Sequence, residues 1–104
     1  MQTSRTALRG LPDAAVASLC QAFRDEVAER LPRVLQAVRT RDPDQLAQAL
    51  RDAHTLGSSA FVMGESEAGK VARAVEALLL DGTDLRPLAP LVDVLAAELA
   101  RWRP

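Results

Sequence analysis

Apolar residues recur every three or four positions along almost the whole chain, and no strand-like alternation lasts more than a few residues. This spacing predicts helices throughout. Val16, Leu19, Cys20, Phe23, Val27, Leu31, Val34, Leu35 and Val38 mark one face of a first helix from Asp13 to about Arg39. Pro32 lies inside it, removes a backbone donor, and predicts either a bend or a split near Arg30; we read one bent helix. A second start follows at once. Asp42 is a good N-cap, Pro43 suits the first helical position, and Gln45 completes an Asp-x-x-Gln capping box. Leu46, Ala49, Leu50, Ala53, Leu56, Ala60 and Met63 then form a stripe that ends at Gly64-Glu65.

Glu65-Ser66 starts a third helix carrying Ala68, Val71, Ala72, Val75, Leu78 and Leu79, and Gly82 suits its C-terminal cap. A last helix, from Leu85, Pro87 or Ala89 to Trp102, shows Leu88, Leu91, Val92, Leu95, Leu99 and Trp102. Four amphipathic helices with short connections predict an all-α fold, an antiparallel up-down four-helix bundle. With 104 residues, positions 1–104 form one domain, residues 1–11 being a frayed end or a short extra turn. Phe23, Phe61 and Trp102 are the only aromatic residues, so Leu, Val and Ala must build the core.

The same totals exclude several functions. Thirteen basic and 14 acidic residues give a net charge of -1 with no block of one sign, so the basic patch of a nucleic-acid binder is missing. The longest apolar runs, such as Ala77–Leu80, have four residues, against the roughly 20 that span a bilayer. Met1–Gly10 has no signal-peptide apolar core, and the lone Cys20 cannot form an internal disulfide. A cytoplasmic monomer with a buried thiol, no membrane and no nucleic acid is the expectation.

His54 is the only histidine. On a helical wheel it stands about 120° from the centre of the second helix's apolar stripe, so its imidazole points off the core. Gly57 and Ser58 follow one turn later, Leu50 and Arg51 precede by one turn, and Phe61 comes two turns later beside the stripe. A Gly-Ser-Ser run costs helix propensity, about 1 kcal/mol for the glycine alone. Close helix packing or clearance around the imidazole would offset this at Gly57; at Ser58, which faces outward, clearance is the better reading. Phe61 is either tucked under a neighbouring helix or left partly exposed as a docking anchor, the second being favoured. An exposed neutral imidazole has a free ring nitrogen at physiological pH and is a reversible nucleophile toward phosphoryl groups.

The run Ala53-His54-Thr55-Leu56-Gly57-Ser58-Ser59-Ala60-Phe61-Val62-Met63-Gly64 resembles the signature of histidine-phosphotransfer (HPt) domains, His-x-Leu-Lys-Gly-Ser/Ala with a second Gly ten residues after the His. His54, Leu56, Ser59 and Gly64 match in register, and the likeness extends over roughly Val27 to Leu80, including Asp42-Pro43-Asp44 and Val75-Glu76. The resemblance implies an HPt-like bundle whose His54 takes a phosphoryl group from a receiver-domain aspartate and passes it to another receiver. The partners would be receivers of a hybrid sensor kinase or a response regulator. It implies a phosphoryl carrier rather than a stand-alone enzyme, with no kinase activity and no cofactor of its own, Mg2+ being held by the receiver. Leu50, Gly57, Ser58 and Phe61 would be docking residues.

Two positions depart from the pattern: Gly57 stands where the family has Lys, and Ser58 where it has Gly. The family lysine is taken to orient or neutralise the phosphoryl group, so Arg51, Lys70 or Arg73 is expected to supply the missing charge. The departure also supports an alternative, an HPt-like docking or regulatory module with weak or lost transfer. A metal or acid/base site on His54 is disfavoured, because Asp52 lies about 160° away on the wheel and Glu65 is the only other near carboxylate.

Overall fold

Cap chemistry marks the helix boundaries in the computed structural model, which describes residues 8–104. Helix α1, Asp13–Thr40, runs unbroken through Pro32, so the split near Arg30 does not occur. Its C-cap, Arg41, is left-handed at φ 57° and donates its backbone N–H to Ala37. The Arg41 guanidinium secures this turn by reaching the Val38 and Leu85 carbonyls.

Helix α2, Pro43–Val62, begins as its cap residues require: the Asp42 carboxylate accepts the Gln45 backbone N–H at 3.0 Å. The other half of the capping box passes through a third residue. The Thr40 hydroxyl accepts the Asp42 N–H and donates to the Gln45 side-chain oxygen, so the Gln45 side chain does not bond the Asp42 N–H directly.

Helix α3 is Ser66–Asp81 and ends on Gly82, left-handed at φ 69°. Glu65 occupies its N-cap position without a side-chain cap bond, because its carboxylate accepts from the Trp102 indole at 2.8 Å and from Arg101. Helix α4 is shorter than expected, Leu88–Glu98, and the chain tightens into a 3-10 turn over Ala100–Trp102.

Each helix packs on the next and α1 meets α4, closing an all-α four-helix bundle about 44 Å long and 18–19 Å across. The 28 residues of α1 account for this length at ~1.5 Å per residue. Two apolar clusters fill the interior. One gathers Phe23, Leu31, Leu56, Met63, Leu99 and Trp102; the other gathers Val34, Ala49, Ala53, Val75, Leu88 and Val92. Cys20 is half-buried at the edge of the first cluster rather than fully enclosed. Of the segment expected to fray or form an extra turn, residues 1–7 lie outside the described residues. Residues 8–10 form a turn closed by the Leu11 N–H on the Leu8 carbonyl, and Leu8 is buried in the first cluster.

Asp52 is the one buried charged residue among those described. It joins α1 to α2 by accepting hydrogen bonds from Arg30 and Arg33, with Gln48 adding one from its own helix. Burial pushes its carboxyl up, but these hydrogen bonds and the Arg33 charge outweigh that effect and hold it below the ordinary aspartate range.

Candidate functional site

The apolar stripe of α2 buries Ala49, Ala53, Leu56 and Ala60 in the bundle and thereby turns His54 outward, its side chain 59% exposed. Along the seam between α2 and α3, Glu76 and Arg73 stand beside it. His54 Nδ1 lies 2.8 Å from Glu76 Oε2. Arg73 Nη1 is 2.9 Å from Glu76 Oε1, 3.4 Å from the His54 carbonyl oxygen and 3.1 Å from Nδ1, while Nη2 donates to the Ser58 hydroxyl at 2.9 Å.

The contact with Glu76 favours one tautomer. A bare Nδ1 lone pair would face the carboxylate oxygen at 2.8 Å, which is repulsive. With the proton on Nδ1, the imidazole donates to Glu76, and the two hydrogens of Arg73 Nη1 go to Glu76 Oε1 and the His54 carbonyl. Every acceptor is then satisfied, and Nε2 keeps its lone pair away from this cluster. Burial pushes the Glu76 carboxyl up, but hydrogen bonds from Arg73 and His54 outweigh it and hold the group below the usual carboxylate range.

Two glycines shape the seam. A Cβ at Gly57 would sit 3.3 Å from the Ala72 Cβ and 3.5 Å from the Arg73 Cζ; one at Gly69 would fall 2.8 Å from the Phe61 ring. Phe61 therefore lies over Gly69, and Arg73 lies over Gly57 with its guanidinium 6.0 Å from the Phe61 ring centre. Gly57 is buried beneath this layer, which corrects its expected place on the docking face: its role is close helix packing.

The other expected residues are distributed around this centre. Phe61 is 42% exposed even though one side of its ring covers Gly69, so it is both tucked and accessible. Ser58 is half-buried and serves Arg73 as an acceptor rather than simply leaving clearance. Leu50 is half-buried and lines a shallow apolar depression with Arg51, His54, Thr55, Glu76 and Leu80. Of the three candidate cations, Arg73 touches His54. Arg51 donates to Gln48, and Lys70 pairs with Glu67 at 3.4 Å. Asp52 points into the bundle, as its wheel position requires. Glu76 appeared in the sequence only as part of a matched pair, and Gly69 carried no signal. Arg73 and Glu76 are an oppositely charged pair three residues apart on α3, a visible feature, but pairing them with His54 requires the α2–α3 register. Among the described residues, no three His, Cys, Asp or Glu side chains gather as a metal site, and no helix is long and apolar enough to cross a membrane.

Fold and site together define a helical bundle that presents one histidine at a helix–helix seam. The sequence model of the Hpt domain family matches residues 18–103, and the chain belongs to that family. Histidine phosphotransfer in phosphorelays, through interaction with receiver domains, is the activity associated with Hpt domains. No curated protein and no solved structure matches the chain.

Proposed function

We propose that His54 is the phosphoacceptor of a phosphorelay carrier that receives its phosphoryl group from a receiver-domain aspartate and delivers it to a second receiver. The observation that carries this reading is the exposed imidazole with Nδ1 2.8 Å from Glu76 Oε2; with the proton on Nδ1, Nε2 is left as the nucleophile. In the forward step the Nε2 lone pair attacks phosphorus. The N–P bond forms as the P–O bond of the aspartyl phosphate breaks, and the aspartate leaves with the electron pair. The ring gains positive charge, which Glu76 stabilises through the Nδ1–H bond. Transfer onward reverses these bond changes with a fresh aspartate as acceptor. Mg2+ and in-line geometry come from the receiver, so His54 needs chiefly to be presented.

Docking around His54 would use Leu50 on one side and Phe61 and Ser58 on the other, with Val62 (59% exposed) and Leu80 (72% exposed) extending the apolar surface. A cytoplasmic monomer meeting one receiver at a time suits this role. Gly57 in the position of the family lysine favours a second reading, a receiver-docking module that has lost transfer.

Incubation of the wild type and His54→Gln with a panel of phosphorylated receivers separates the two. Carriage predicts an acid-labile, alkali-stable label on the wild type alone. Receiver binding without any label would establish the docking module instead.

A further inference from the structure

The cation nearest His54 belongs to α3, and its seat exists because of what two positions lack. We infer that Arg73 is the positioning residue of this site: it holds Glu76 on His54 Nδ1 and balances its charge, from a seat left open by Gly57 and Gly69. On this view Gly57 marks the close packing on Ala72 that brings the cation of α3 across the seam, rather than a lost function. The inference rests on the phosphotransfer reading for its consequence, but its geometry can be tested without transfer.

Four contacts fix the guanidinium: Glu76 Oε1, the His54 carbonyl, the Ser58 hydroxyl, and the Phe61 ring face. Three of the four partners are on α2, so Arg73 ties Glu76 of its own helix to the backbone of the residue it serves. A Cβ at position 57 would press on the Ala72 Cβ at 3.3 Å and spread the two helices, while its 3.5 Å from the Arg73 Cζ is ordinary contact, so Gly57 sets how closely Arg73 approaches α2. A side chain at position 69 would displace Phe61, which covers the same groove. Glycine is poor in helix interiors, so its presence twice along one seam calls for such an account.

The chemistry follows from opposing charges. Glu76 can hold the imidazole in this orientation only while its carboxylate lies against Nδ1. Arg73 holds the other oxygen of the same carboxylate and balances its charge, so Glu76 stays against the ring. The charged groups bordering the imidazole are Glu76 and Arg73 from α3 and Arg51 from α2. Arg51 is engaged with Gln48 rather than with Glu76, so it does not duplicate this balance.

The single histidine makes a direct test possible, since side-chain 15N spectra contain one imidazole. In the wild type, the neutral ring is expected with its proton on Nδ1, the minor form of free histidine. Arg73→Ala is expected to move the signal of the neutral ring toward the Nε2–H form, with Arg73→Lys restoring part of the wild-type pattern. Gly57→Ala keeps the arginine but presses α2 away from Ala72 of α3, and is expected to shift the signal in the same direction as Arg73→Ala by a smaller amount. Phosphoryl acceptance by Arg73→Ala should fall about tenfold, as when groups supporting a reacting ligand are removed. Unchanged spectra in Arg73→Ala, or a rate loss of the same size in Arg73→Ala with the wild-type tautomer retained, would overturn the inference. If the spectra change as expected while no receiver labels the wild type, the positioning role stands and the phosphotransfer reading fails.

Discussion

At the residue scale, the site depends on which ring nitrogen of His54 is occupied. Glu76 makes that choice, and Glu76→Gln tests it with little change in shape. The amide oxygen can still accept the Nδ1–H, but it carries no charge to stabilise the ring as phosphorus bonds to Nε2. Losing a charge-assisted hydrogen bond of about 1.5 kcal/mol corresponds to about a tenfold slower transfer. Rapid-quench phosphotransfer from one receiver to both forms measures it, and circular dichroism of the two should coincide. The outward position of His54 was legible in the sequence, because it follows from helical periodicity along one segment. The role of Glu76 was not, since it lies 22 positions away and its contact depends on how α2 and α3 align.

At the element scale, caps and helix seams divide the work. Asp42, Pro43 and Gly82 act within a few residues of themselves, so the starts and stops they signal appear where expected. The Thr40 relay in the capping box escaped that reading because Thr40 ends the preceding helix and two hydroxyl bonds intervene. Joining α1 to α2 is the task of Asp52. Its folded-state carboxyl is held below the ordinary range, so its stabilising contribution is complete above an ordinary aspartate pKa of about 4 and is lost as pH falls through the lower folded value. Asp52→Asn should cost about 2 kcal/mol at neutral pH, less than a fully enclosed pair because Arg33 is partly solvated. Urea denaturation across pH should show this variant with a flatter stability curve below about pH 4.

At the scale of the whole molecule, Trp102 closes one end of the bundle. Its ring meets Phe23 edge-on at 4.8 Å, Arg24 and Arg101 lie over it at 5.4 and 5.2 Å, and its N–H satisfies Glu65. It links α1, the α2–α3 turn and the end of α4 at 1% exposure. Trp102→Ala should therefore lower stability by about 3–5 kcal/mol in urea denaturation followed by circular dichroism. Phosphoryl transfer at a temperature where the variant remains folded should stay near wild type, because the α2–α3 seam at His54 lies away from that end.

By itself the sequence determined the four helices, the all-α bundle, the core faces and an outward His54, because periodicity and caps act over a few neighbouring residues. Only the tertiary structure decided what surrounds the imidazole. Gly57 could be read as clearance or as close packing, and the 3.3 Å approach to Ala72 decides for packing. Arg51, Lys70 and Arg73 were equivalent charges until helix register brought one of them against His54 and Glu76. Such contacts depend on the alignment of separate helices, which no local pattern encodes.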